Sequence, residues 1–267
     1  MPPRPETGEH RVLIASWNVN SIRSRLDRVI AWLDSTRPDV LCLQETKVVD
    51  EQFPREPLAA LGYEAAVYGQ KSYNGVAILA REPIVDPVRG FDDGEDEGGA
   101  RLLAATVRGV RIHTVYVPNG QVVGSEAYEG KLRWLARLRA LLGRRHTPED
   151  PVVVCGDFNV APEARDVHDP EFWRTQVLFH PTSRAALADL CTFGLVDTFR
   201  LHHEEGGLYS WWDYRQLAFP KNLGLRIDLV LASRGLATRC MAAAIDRQAR
   251  KGPGASDHTP VLANFEI

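Results

Sequence analysis

The sequence predicts an α/β domain, and three observations carry that prediction. Short apolar runs rich in Val, Ile and Leu recur along the 267 residues. Between several of them lie stretches with apolar residues three and four apart, the spacing of helices that cover a sheet. Finally, Trp17-Asn18-Val19 and Phe158-Asn159-Val160 each follow an apolar run, an echo that points to two similar halves meeting around one site, with chance likeness of a tripeptide as the competing account.

A composition of 44% hydrophobic and 25% charged residues is ordinary for a soluble globular protein. No run approaches the roughly 18 apolar residues of a membrane span. Residues 1–10 are polar and Pro-rich with no apolar secretory core, so the expectation is a flexible extension over 1–10, a single domain over 11–267 and a cytoplasmic, nucleoid-associated location if DNA is bound. Cys42, Cys155, Cys191 and Cys240 are scattered, which suits buried reduced thiols better than zinc or a disulfide framework. The formal net charge of -3 argues against an obligate nucleic-acid binder. Distribution tempers this: Arg133, Arg137, Arg139, Arg144 and Arg145 crowd one segment, Arg247, Arg250 and Lys251 another, and acids cluster from Asp92 to Glu97. Such runs are more often simply a solvated helix surface.

In chain order, Arg11 to Trp17 reads as a first strand with Val12, Ile14, Ser16 and Asn18 on one face. Ser24 begins a helix carrying Leu26, Val29, Ile30 and Leu33 at amphipathic spacing, which stops before Pro38. Val40 to Gln44 is a buried strand that hands over to Glu45 and Lys47. Strand-like runs follow at Val76 to Ala80, Leu102 to Val107 and Arg111 to Val117; the last ends in a turn that puts Tyr116 and Asn119 at one rim. A helix over about 127–142 has Leu132, Leu135, Leu138 and Leu142 inside and Gly143 as its stop. Val152 to Val154 is the central strand. Ala161 to Thr182 is long and irregular, as binding loops are. A helix from Ser183 to Phe193, an aromatic cluster over Tyr209 to Tyr214, a strand from Leu225 to Ala232 and a last strand from Val261 complete the chain.

The chemistry concentrates at strand ends. In extended chain Asp157 and Asn159 share a face while Phe158 turns into packing, although the same letters suit a turn cap. Asp228 sits in an otherwise apolar run, where an unpaired charge is costly, so it requires a partner. His258 is the natural one, held in one tautomer by the carboxylate, with Asp257 pointing the other way. Asn18, Glu45, Tyr116, Asp157, Asn159, Asp228, Asp257 and His258 together form an oxygen-rich set with no cysteine near, which suits Mg²⁺ or Mn²⁺ rather than zinc. Such ions are the usual partners of phosphate esters.

The motifs Ile14-Ala15-Ser16-Trp17-Asn18-Val19-Asn20-Ser21-Ile22-Arg23, Leu43-Gln44-Glu45-Thr46-Lys47, Asn74-Gly75-Val76-Ala77, Tyr116-Val117-Pro118-Asn119-Gly120, Gly156-Asp157-Phe158-Asn159, Leu225-Arg226-Ile227-Asp228 and Ser256-Asp257-His258 occur in that order. With them the chain resembles exonuclease III-type apurinic/apyrimidinic endonucleases of the endonuclease/exonuclease/phosphatase superfamily. The resemblance implies a four-layered α/β sandwich, two mixed sheets face to face with helices outside and the site at one end. It implies that Glu45, Asn18 and Asp257 hold the metal, that Asp157, steadied by Asn159, activates the water, and that Tyr116 and His258 contact the scissile phosphate with Asp228 behind His258. Asn119 is expected to grip the DNA backbone, and Trp211 and Leu225 to wall a pocket for the abasic sugar, with plain core packing as the alternative for both.

Asn20, where some relatives have Asp, leaves an outer metal contribution from that position open. Leu225, where others have Trp, places the match nearer the bacterial branch. The implied activity is Mg²⁺-dependent cleavage of double-stranded DNA 5′ to abasic sites by a monomer, with 3′-to-5′ exonuclease and 3′-phosphatase activity on blocked 3′ ends. The rivals are a phosphodiesterase of the same fold acting on another substrate and a non-catalytic nucleic-acid-binding regulator.

Overall fold

The computed structural model describes residues 11–95 and 98–267; the expected extension over 1–10 and the end of the acidic run, residues 96 and 97, lie outside the described residues. Strand β1 (Arg11–Asn18) leads into helix α1 (Ile22–Thr36), and β2 (Val40–Gln44) returns parallel to β1, pairing Ile14 with Val40 and Asn18 with Gln44. The helix starts ahead of Ser24, because Ser21 is the cap and its hydroxyl accepts the Ser24 N–H. Helix α2 (Arg55–Ala59) precedes β3 (Glu64–Tyr68) and β4 (Val76–Ala80), which extend the sheet antiparallel.

The second half repeats the plan. Strands β5 (Val85–Arg89), β6 (Leu102–Val107) and β7 (Val110–Tyr116) form a meander, and helix α3 (Glu126–Arg145) crosses to β8 (Val152–Asp157), parallel to β7. Helix α3 runs through Gly143, the expected stop. Gly143 is exposed, where glycine costs a helix only about 1 kcal/mol, and Arg144 and Arg145 complete the last turn with charges that suit a helix C-terminus. The irregular stretch 161–182 contains a 3-10 turn (Ala164–Asp166) and the one-turn helix α4 (Pro170–Trp173); α5 (Pro181–Cys191) and β9 (Leu195–Asp197) follow.

The run Leu225 to Ala232, expected as one strand, is two. Strand β11 (Gly224–Leu225) pairs with β10 (Trp211–Trp212), and β12 (Asp228–Ser233) joins β8. The break falls at Arg226, whose buried guanidinium is tied to Asp166 and Asp197 and so turns the chain out of the sheet line. After α6 (Arg234–Ala237), strands β13 (Cys240–Ile245) and β14 (Val261–Glu266) return to β1.

The two six-stranded sheets run β13-β14-β1-β2-β4-β3 and β9-β12-β8-β7-β6-β5. Each has one parallel pair in the same position, and β1 and β8 are equivalent strands. The echoed tripeptides therefore sit at the ends of matching strands. Val12, Ile14, Cys42, Val153, Cys155 and Val230 pack between the sheets. The outer face of the first sheet is covered by α1 through Val29 and Leu33, and that of the second by α3 and α5 through Leu135, Leu138, Leu142 and Leu187. Four layers result, with both faces of the central strands buried, which explains their unbroken apolar runs.

Candidate active site

The ends of β1, β2, β7, β8 and β12 meet at one end of the sandwich. Asn18, the last residue of β1, is fully buried. Its Nδ2 donates to Glu45 Oε1 at 2.8 Å and to Asp157 Oδ2 at 3.0 Å, while its Oδ1 accepts the Asn20 N–H at 3.0 Å. Asn18, expected as a metal ligand, is here a donor that holds two carboxylates at a fixed spacing, with one lone pair of its carbonyl taken by the Asn20 N–H. Glu45 stands just past β2 in left-handed backbone, φ 51°, which swings its carboxylate across the sheet edge, and Lys47 Nζ lies 2.9 Å from its Oε2.

Asp157 ends β8 and is cross-strand partner to Asp228 on β12. Two buried carboxylates side by side are unfavourable unless something cationic joins them, and His258 does. Its Nδ1 lies 2.8 Å from Asp228 Oδ2 and its Nε2 3.7 Å from Asp157 Oδ2. Ser210 Oγ donates to Asp228 Oδ2 at 2.6 Å. Burial works against the imidazolium, but Asp228 and then Asp157 outweigh it and hold His258 up at about 10. Burial raises Asp157 to about 7, with Asp228 and Glu45 adding to the rise and His258 and the Asn159 N–H opposing it. A carboxylate poised there suits a general base at neutral pH.

Asn159 and Asp157 converge, though not by extended alternation. Asn159 has φ 50°, its N–H donates to Asp157 Oδ1 at 2.8 Å, and its Nδ2 donates to Val117 O at 2.9 Å. Its Oδ1 accepts Asn119 Nδ2 at 3.1 Å, so the exposed Asn119 is coupled to it. Phe158 turns into the core beneath α3. Tyr116 ends β7, with Arg101 stacked 4.6 Å from its ring centre. Burial and the nearby Glu45 and Asp157 push its phenol well above the usual range, so it stays protonated.

Glu45, Asp157 and His258 each offer a ligand-type atom, all within 4.8 Å of one another. A protonated imidazole is no ligand, which leaves oxygen donors, the set that hard cations take. Asp257, expected in the metal shell, is not in this cluster: its Oδ1 accepts Asn20 Nδ2 at 3.0 Å and its Oδ2 accepts Trp211 Nε1 at 3.1 Å. Burial raises the Asp257 carboxyl, but His258, Trp211 and Asn20 together bring it below its ordinary value. Asn20 is therefore a bridge between Asp257 and Lys47, whose Nζ it accepts at 2.5 Å.

Trp211 forms a bridge with His258 on one side and pairs with Leu225 on the other, its ring 6.5 Å from the imidazole and 6.3 Å from Trp173. Trp211 is half-buried and offers a face to the site. Leu225, expected as the second pocket wall, is 0% exposed in a cluster with Tyr128, Ala161 and Ile227. It backs Trp211 and presents no surface of its own. The basic segment of α3 is partly neutralised by the acidic run, with Arg137 on Asp93 and Arg145 on Asp92.

Lys131 and Ser210 were not singled out from sequence. For Lys131 a signal existed: it falls on the same stripe of α3 as Leu135, Leu138 and Leu142, and it is fully buried. Ser210 had none, since only the fold brings it to Asp228.

The Endonuclease/Exonuclease/phosphatase family model matches residues 15–258. An exodeoxyribonuclease III from Haemophilus influenzae is 34% identical over 263 residues, 94% of this chain and 98% of that protein. The structure of an AP endonuclease from Archaeoglobus fulgidus superposes with a TM-score of 0.93 at 40% identity, covering 96% of this chain and all of that one. A 3′ phosphatase from Neisseria, bound to product DNA hairpin, gives 0.92 at 37% identity, with 96% of this chain and 100% of that chain covered.

Proposed function

The chain belongs to the endonuclease/exonuclease/phosphatase family, and from that membership and the site's geometry we propose that it is a Mg²⁺-dependent DNA repair nuclease that cleaves the backbone 5′ to abasic sites. On this reading it acts as a monomer on double-stranded DNA, with 3′-to-5′ exonuclease and 3′-phosphatase activity on blocked 3′ ends. The observation that carries it is the cluster of Glu45, Asp157 and His258 within 4.8 Å, backed by Asp228 and Asn18.

Glu45 is the carboxylate placed to hold Mg²⁺ or Mn²⁺, which when bound supplies Lewis-acid stabilisation of the phosphate and lowers the pKa of Asp157. Asp157 takes a proton from water as its oxygen attacks phosphorus, with Asn159 and Asn18 fixing the carboxylate. The bond from phosphorus to the 3′ oxygen breaks, and that oxygen takes a proton from solvent water to leave as a hydroxyl, while Asp157 returns its proton to solvent. His258, cationic and fixed by Asp228, and the protonated phenol of Tyr116 donate to the phosphate oxygens on which charge accumulates. Asn119 grips the neighbouring backbone. Trp211 packs against a sugar turned out of the duplex, an excursion that takes least energy where no base is stacked.

Matched duplexes, one with a stable abasic analogue and one undamaged, each incubated with Mg²⁺ or with chelator, test the reading. Mg²⁺-dependent internal cleavage of the abasic strand, with no internal nick in the undamaged duplex above a low background, is expected. Binding without turnover would instead favour a regulator on this fold.

A further inference from the structure

Lys131 lies on the inner face of α3 and is 0% exposed. Its Nζ donates to three backbone carbonyls, Asn159 O at 2.7 Å, Asn119 O at 3.0 Å and Val177 O at 3.3 Å. An ammonium has three N–H donors, and here each finds a carbonyl and none a carboxylate. Burial without an anionic partner is costly and lowers the amine's pKa, with Asp157 opposing only in part, but three carbonyl acceptors and, among the described residues, no donor around Nζ require all three N–H groups and therefore the charged form.

The three carbonyls belong to three separate segments that border the site: the turn after β7, the turn after β8 and the irregular stretch 161–182. A point donor with three directions can tie three backbones to one locus. The turn after β7 is shaped to lie on the lysine. Gly120 has φ 91°, and a Cβ there would come within 3.1 Å of Lys131 Cδ and 3.2 Å of the Tyr128 ring. From the two tied backbones the side chains reach forward and interlock, Asn119 Nδ2 on Asn159 Oδ1 and the Asn159 N–H on Asp157.

We propose that Lys131 is a positioning residue, a buried ammonium clamp that sets the Asn119 and Asn159 carboxamides, and through Asn159 the Asp157 carboxylate, at their working separation. The inference rests on the nuclease reading above, in which those three groups grip and hydrolyse the phosphodiester. The alternative is a lysine that only stabilises the fold. The two differ in their coupling: a clamp acts through the amides, so its loss and theirs are not additive, whereas a general stability role adds to any site change.

The test is a mutant cycle on abasic-analogue duplex with Mg²⁺, combining Lys131→Met with Asn119→Ala, with thermal unfolding to identify the folded state of each variant. A small displacement of reacting groups can cost about a hundredfold in rate, so Lys131→Met should lower kcat by about 10- to 100-fold in folded protein. In the Asn119→Ala background the same substitution should cost only about a third to a tenth as much, because part of the machinery it positions is gone. Should Lys131→Met fail to fold, Gly120→Ala probes the clamp with the ammonium in place, by pushing the turn off the lysine, and is expected to lower kcat in the same coupled way. A folded Lys131→Met or Gly120→Ala variant that keeps kcat within about twofold, or losses equal in both backgrounds, overturns the clamp. Wild-type protein that never cleaves would bring down the nuclease reading and this inference with it. Wild-type cleavage beside an unaffected variant brings down the inference alone.

Discussion

Asp228→Asn is the perturbation that separates positioning from packing most cleanly at the centre of the site. The substitution keeps the shape, and its oxygen can still accept the Ser210 hydroxyl now 2.6 Å from the carboxylate, but it removes the charge that faces the imidazole. In the wild type His258 is held at about 10 against the opposing effect of burial, so the ring is almost wholly protonated at neutral pH. Without Asp228 the burial remains and the largest compensating charge is lost, although Asp157 and Asp257 still favour the charged ring, so its pKa falls; a fall to the ordinary 6.5 leaves about one ring in ten charged at about pH 7.5. That alone removes about tenfold, or about 1.4 kcal/mol. Loss of tautomer control adds to it, and where an Asp orients a catalytic His in serine proteases the same substitution costs about 10⁴.

The expected fall in kcat/KM is therefore about 10²- to 10⁴-fold, with abasic-DNA affinity within about tenfold of wild type. The protonated fraction of the variant ring rises as pH falls while Asp157 loses its base form in both proteins, so the ratio of variant to wild-type rate should rise toward about pH 6. A labelled-duplex cleavage assay across pH, with Asp189→Asn as an exposed control on α5, makes the measurement. A folded Asp228→Asn protein with near-wild-type rate at about pH 7.5 would refute the reasoning.

Asp157→Asn should abolish cleavage while leaving abasic-DNA binding within about tenfold, measured by fluorescence anisotropy beside a turnover assay, because it removes the base but not the phosphate grip. Trp211→Ala should lower the ratio of abasic to undamaged cleavage in folded protein, whereas Leu225→Ala, at a fully buried position, should cost about 2–5 kcal/mol of stability and depress every activity in parallel. A ratio unchanged by Trp211→Ala would place selectivity elsewhere. Asp166 is fully buried and paired with both Arg226 and Arg200, so Asp166→Ala removes the carboxylate the two guanidinium groups share, leaving Arg226 with Asp197 and Arg200 with the His203 and Glu205 carbonyls, and should cost about 3–5 kcal/mol in urea unfolding; a loss under about 1 kcal/mol would show that those remaining partners suffice.

Much of the architecture is written in the local pattern. Val152 to Val154 and Val40 to Leu43 are continuous apolar runs because both faces of those strands are buried, and that burial makes them legible. Strands β3, β5 and β13 were not: Glu64–Tyr68 and Cys240–Ile245 are alanine-rich, and Val85–Arg89 carries Pro87 on an exposed edge, so none has a strong strand signature.

Within the site, the partnership of Asp228 and His258 followed from the energetic demand of a charge in an apolar run. The orientation of Asn18 and the diversion of Asp257 to Asn20 and Trp211 did not, because each depends on side-chain hydrogen bonds between elements far apart in sequence, and the burial of Leu225 did not, because it depends on packing against Tyr128 and Ala161 from distant segments. The break at Arg226 was hidden for the same reason, since its partners Asp166 and Asp197 come from other segments.

The central claim is that Asp157, fixed by its neighbours, delivers water to the phosphorus 5′ of an abasic sugar. Cleavage of a duplex with a single abasic analogue in ¹⁸O-labelled water, with mass analysis of both fragments, tests it most directly. A free 3′-hydroxyl on the upstream fragment and one ¹⁸O in the 5′-phosphate of the downstream fragment are expected. A 3′-phosphate on the upstream fragment, or a downstream phosphate without label, would contradict it.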